Sequence, residues 1–367
     1  MSSSTSSSEE PSRGARSDET RWARFLRRML GTAGTLLVVA YAFIALVDPW
    51  GMLPLSLPLP PETVTTNQRF SYPMIARSPR FDSVVVGTST SRLLRPALLD
   101  GLFGARFANL SMNSGTAWEQ SQILALFTRS HPSPRNVLVG LDMVWCESGP
   151  LRRLTPRPFP DWMYGANLWR GYAEILNPFA AEEAGKQALA MLGLGRARYG
   201  RDGWADFLPD DRLYDAPRAA AGLVPPAPEP APAGTPAFDF PQHALLAERL
   251  AALPASTRVL LFLVPYHVSL QPQPGTLEEL RWAACRDSIA AIARARPGTI
   301  LADFMIPSGI TREDTNYWDP QHYRIGIADR LVRDLAEAAA GRATSCARPR
   351  RATRPRGSCS PSRPPRP

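Results

Sequence analysis

Histidine and cysteine are scarce in this chain: four of each in 367 residues. No Cys-x-x-Cys pair occurs, and no Cys/His spacing suits zinc, so neither a metal site nor a thiol redox motif is expected. No Gly-Lys-Ser/Thr follows a glycine turn, which excludes a P-loop, and no cofactor is expected. Residues 342–367 contain no acid but eight arginines. Removing them from the formal net charge of +9 leaves 9 − 8 = +1, so the rest of the chain is nearly neutral and carries no nucleic-acid footprint. The arginine tail is also rich in Pro and Ser. It reads as disordered, or as a segment that touches anionic lipid or polymer.

Long apolar runs occur once. From Met29 to Val47 there is no charge for 19 residues, about 28 Å of helix, which is enough to cross a hydrocarbon core. Arg21, Arg24, Arg27 and Arg28 precede the run and Asp48 follows it. This asymmetry places the N-terminus in the cytoplasm and the main domain outside. The run is long for a cleaved signal peptide, and "DPWGMLPLSLPLPP" lacks a small-x-small cleavage site. The reading is therefore an uncleaved, single-pass transmembrane helix in the lipid bilayer at 29–47, after a cytoplasmic disordered tail at 1–28. A Pro-rich stalk follows at 48–80.

Alternating strand and helix patterns start at residue 81. Strands are expected at 82–87, 106–112, 136–142, 257–266 and 298–305, with helices at 116–130, 276–295 and 322–341. This alternation argues an α/β domain over 81–341, with a parallel sheet covered by helices. Residues 147–245 break the rhythm and read as an insertion, either a lid or binding surface or a decoration without a role. Its aromatics Trp162, Tyr164, Trp169 and Tyr172 either stack on sugar rings or pack the insertion's own core. Cys146 and Cys285 lie in the folded region, and whether they pair is left open by the sequence.

In an open parallel sheet, ligands sit at the carboxyl ends of the strands. The first strand there runs into "GTSTS", either a helix-capping turn or a held nucleophile, Ser89. A serine nucleophile needs a base and an acid that orients the base. His322 stands out among the histidines because Asp319 lies three residues before it at a helix entry, where one turn brings the two together. Asp319 also suits a helix N-cap.

"GTS" at 87–89, "NLSMNSG" at 109–115, "GLDM" at 140–143 and "DPQH" at 319–322, in that order, resemble the blocks of the SGNH hydrolases, or GDSL-like esterases. Thr88 replaces the aspartate of the first block, and the third-block asparagine is missing. The resemblance spans roughly 80–340 without the insertion. It implies a flavodoxin-like three-layer sandwich, with Ser89, His322 and Asp319 catalytic. The Ser89 and Gly115 amides would receive the oxyanion, and Asn109 or Asn113 would substitute for the missing asparagine. Membrane-anchored proteins of this kind modify bacterial envelope polymers. The resemblance thus implies an inner-membrane, extracytoplasmic serine esterase or O-acyltransferase. Its partners would be an envelope polysaccharide or other acylated polymer and a multi-span membrane acyltransferase. Two other readings stand beside it: a non-catalytic scaffold that binds such partners, and a hydrolase of small lipid esters.

Overall fold

The computed structural model describes residues 13–58, 61–234 and 236–342. The Ser-rich start and the basic tail from residue 343 lie outside the described residues. The chain divides into two compact units, one of Met1–Pro61 with Trp169–Gly195 and one of Glu62–Leu168 with Arg196–Pro367.

The first unit contains α1 (Arg13–Val47). Within α1, Thr20–Val47 has a mean hydropathy of 2.2 and is the one helix, among the described residues, long and apolar enough to cross a membrane. The helix starts earlier than the expected boundary at residue 29. Residues 13–28, read as disordered, continue it instead. Arg, Ala, Glu and Leu are good helix formers, and adding a residue to an existing helix costs far less than nucleating one.

In the second unit α2 (Gln68–Arg77) precedes β1 (Ser83–Val86), α3 (Ser89–Arg92), α4 (Pro96–Phe103), β2 (Phe107–Asn109), α5 (Ala117–Ser130), β3 (Asn136–Leu141) and α6 (Asp161–Tyr164). Two helices, α7 (Gly171–Glu174) and α8 (Pro178–Met191), belong to the first unit. The second unit then resumes with α9 (Ala216–Ala221), α10 (Gln242–Ala251), β4 (Arg258–Leu263), α11 (Leu277–Ala295), β5 (Thr299–Asp303) and α12 (Ile325–Ala339). All five strands are parallel, in the order β2-β1-β3-β4-β5. β1 and β3 are buried along their whole length, which is why they read as unbroken apolar runs rather than alternations.

The strand order reverses between β1 and β3. Right-handed crossovers that move in opposite directions put their helices on opposite faces. Accordingly α4 packs on α12 and β2, while α10 packs on α5 and α11. The reversal also opens a crevice at the carboxyl ends of β1 and β3. Gly87 and Gly140 line this point because a Cβ on either would collide with the side chain of Ser91.

The expected stalk at 48–80 is not uniform. Residues from Glu62 onward belong to the α/β unit, and α2 packs on α5. Arg69 Nε donates to Glu119 Oε1 at 2.7 Å, with both side chains wholly buried. Glu119 also closes a capping box with Thr116 at the start of α5. The expected insertion at 147–245 likewise splits: 169–195 joins the N-terminal unit, and the rest folds with the sheet. Periodicity could not reveal either division, because both depend on contacts between distant segments. Cys146 and Cys285 form a disulfide that ties the segment after β3 to α11.

Candidate active site

Ser89 begins α3 directly beyond β1, and neither hydroxyl at this turn caps the helix. Thr88, at the N-cap position, instead bonds Asp142 at the end of β3. Ser89 Oγ lies 2.8 Å from His322 Nε2, and His322 Nδ1 lies 2.7 Å from Asp319 Oδ2. Since an ionised carboxylate only accepts, Nδ1 carries the proton and Nε2 accepts from the serine. Ser89 and His322 are 233 residues apart in sequence.

Asp319 and His322 meet in a loop, not on the helical turn expected from their spacing; α12 starts only at Ile325. The loop is closed by the antiparallel bridge between Tyr317 and Tyr323 and by Trp318 N donating to His322 O at 2.9 Å. Asp319 does not cap α12 either. Its Oδ1 accepts from the amides of Gln321 at 2.8 Å and His322 at 2.9 Å, while Oδ2 orients the imidazole. Burial pushes the Asp319 carboxyl up, but the His322 hydrogen bond and charge, with these two amides, bring it below its ordinary value. Tyr323 Oη donates to Thr90 O at 2.6 Å and so fastens this loop to α3.

The groups expected to receive an oxyanion are in part engaged elsewhere. The Ser89 amide opens a helix, where no intrahelical acceptor exists for it. The Gly115 amide is already used: it donates to Met112 O at 3.0 Å and closes a turn in which Ser114 is left-handed, with φ of 50°. Asn109 is used too. Its Nδ2 donates to Ser91 O and Leu94 O, and its Oδ1 accepts from Ser111 N. Asn113 differs, because Arg92 Nη1 holds its Oδ1 and leaves Nδ2 as the donor end beside α3.

Arg92 itself is buried, lies over the Phe207 ring at 4.4 Å, and makes no ion pair among the described residues. Phe207 in turn meets His322 edge-on at 5.8 Å. The sequence reasoning missed both residues. Arg92 follows Ser89 by three positions, a spacing that signals a shared helical turn. Phe207 sits in an aperiodic stretch that carries no signal.

No family model and no curated protein matches this chain.

The site therefore rests on geometry. His267 provides a contrast. It bonds Ser269 Oγ at 2.9 Å and Asp314 Oδ1 at 3.1 Å, so it too has a serine and a carboxylate. But Ser269 N also donates to its Nδ1, and the group forms a local cap of one short turn. His243 is buried against Trp145 O, and desolvation lowers it to about 4, so it stays neutral. His131 lies between the carbonyls of Phe127 and Ser78. Of the aromatics left between sugar stacking and core packing, Trp162 and Tyr164 are buried, with Tyr164 stacked on Phe159 at 4.3 Å. Trp169 and Tyr172 belong to the other unit. Half-buried aromatics do stand at the Asp319–His322 loop, where Tyr214 packs edge-on against Trp318 at 5.1 Å.

Proposed function

We propose that the chain is a membrane-anchored, extracytoplasmic serine esterase or O-acyltransferase of the SGNH-like kind, acting on an acylated envelope polymer. The observation that carries this reading is the unbroken hydrogen-bond chain from Ser89 to His322 to Asp319 at the carboxyl edge of a parallel sheet. The strand order is that of flavodoxin-like sheets. The Cys146–Cys285 disulfide suits an oxidising compartment outside the cytoplasm, and α1 suits a single-pass anchor in the bacterial inner membrane.

In this mechanism Ser89 Oγ attacks the ester carbonyl carbon while its proton passes to His322 Nε2. The Ser89 amide and Asn113 Nδ2 receive the negative oxygen. Collapse breaks the bond to the departing alcohol, which leaves with the proton from Nε2. A second hydroxyl, from water or a sugar, gives its proton to Nε2 and attacks the acyl-serine. This restores Ser89 and releases the acid or the new ester. Asp319 keeps Nδ1 protonated throughout.

A second reading, a non-catalytic scaffold that binds a polymer or a membrane acyltransferase, draws on one feature. A carboxyl group, Asp142, stands at the third-block position where an asparagine donor belongs. A fluorophosphonate separates the two. The catalytic reading expects one covalent adduct on the wild type, mapped to Ser89, and none on Ser89→Ala or His322→Ala. A folded wild type that takes up no adduct refutes catalysis and leaves the scaffold.

A further inference from the structure

We propose that residues 169–195 form an interfacial segment that lies in the lipid headgroup–acyl boundary beside the C-terminal end of α1. The inference rests on α1 being a membrane span. Within this compact unit the segment is fixed to the end of that helix. Tyr41 Oη donates to Tyr172 O at 2.9 Å. Tyr172 Oη donates to Leu55 O at 3.0 Å and accepts from Leu55 N at 2.8 Å. The rings of Trp50 and Phe179 are 5.8 Å apart, and α8 packs on α1. The Tyr41, Trp50 and Leu55 contacts flank Asp48, where the apolar run ends.

α8 buries Ala180, Glu183, Ala184 and Gln187, one face by their spacing. Lys186 and Glu182 stay outside this stripe, paired at 2.7 Å. The neighbouring large apolar side chains are uncovered: Trp169 is 58% exposed, Leu192 73% and Leu194 75%, with Leu176 and Leu189 about half exposed. Water does not favour such a surface, and exposed patches of this kind mark membrane or protein contacts. Lipid is the occupant because α8 packs on α1, whose own apolar side chains, such as Leu36 and Val38, are equally exposed. The segment lies on the membrane rather than across it. At 14 residues α8 is about 21 Å long, shorter than the hydrocarbon core, and its Glu–Lys pair needs the headgroup level.

The test uses the full chain, one copy per nanodisc of phosphatidylethanolamine and phosphatidylglycerol. Subtracting the emission of Trp169→Phe from the wild type isolates Trp169. The expected difference spectrum is blue-shifted, quenched by lipids brominated high on the acyl chain, and protected from acrylamide. Leu192→Asp with Leu194→Asp should shift it to the red and open it to acrylamide while circular dichroism stays unchanged. A wild-type Trp169 that acrylamide quenches and brominated lipid does not overturns the proposal. Protection seen only in discs holding two copies overturns it as well, in favour of self-association. A chain that stays in the aqueous fraction removes the anchor reading of α1 itself.

Discussion

Replacing Asp142 by Asn tests the electrostatics beneath the Ser89 turn. Asp142 is buried at the end of β3 and makes no ion pair among the described residues. Its carboxyl bonds Thr88 Oγ1, and Oδ1 accepts from Val144 N at 3.3 Å. Desolvation pushes this group from its ordinary 3.8 up to about 6, even though the Thr88 and Val144 hydrogen bonds pull it down. The folded chain therefore holds this proton more tightly than the unfolded chain. The stability linked to it is full below about pH 4, falls as pH rises, and is gone above about pH 6. At about 1.4 kcal/mol per pH unit of difference, the loss is about 3 kcal/mol. The asparagine side chain of Asp142→Asn would keep both contacts, with Oδ1 accepting from Val144 and Nδ2 donating to Thr88, and would carry no charge. The assay is thermal unfolding of the full chain in detergent from pH 4 to 8, followed by near-ultraviolet circular dichroism. The Asp142→Asn variant should gain on the wild type as pH rises, by up to about 3 kcal/mol at pH 7, and the two should converge near pH 4. A constant difference across this range would refute the buried, unpaired charge.

The remaining predictions concern the site and its frame. Asp319→Asn should still label with fluorophosphonate but roughly 10²- to 10⁴-fold more slowly, because the imidazole loses the partner that sets its tautomer; an unchanged rate would remove Asp319 from the proposed triad. Gly140→Ala should cost about 1–3 kcal/mol in urea unfolding and slow labelling, since the new methyl meets the Ser91 side chain under the Ser89 turn. Cys146→Ser with Cys285→Ser should lower stability by about 3–5 kcal/mol, the bridged positions being 139 residues apart, and non-reducing peptide mapping of the wild type should recover the linked pair.

Much of the frame was legible because it is local. The three central strands β1, β3 and β4 are short β-branched or leucine-rich runs buried along most or all of their length, so they announce themselves without neighbours. The helices after Thr116 and Thr276 begin at capping threonines, each bonded to a glutamate amide three residues on. Ser89, Asp319 and His322 could be singled out from their order and their places at strand or helix ends. Phe207 and the use of Asn109 as a tie to α3 could not, and Arg92 offered only its shared turn with Ser89. Each depends on which distant loop lies beside it, and residues 196–234 have no periodicity that would aim them.

The sequence by itself determined one long apolar helix, a set of parallel-type strands and a serine, acid and base in a plausible order. These follow from spacing and hydropathy, which act over a few residues. Only the tertiary structure decided which donors stay open. It spent the Gly115 amide on a turn, turned Asn109 inward, and oriented Asn113 through Arg92. It also chose between His322 and His267, each of which has a serine and a carboxylate in reach. A hydrogen-bonding group has few partners to give, and which partners it takes depends on approaches across hundreds of residues that no local pattern encodes.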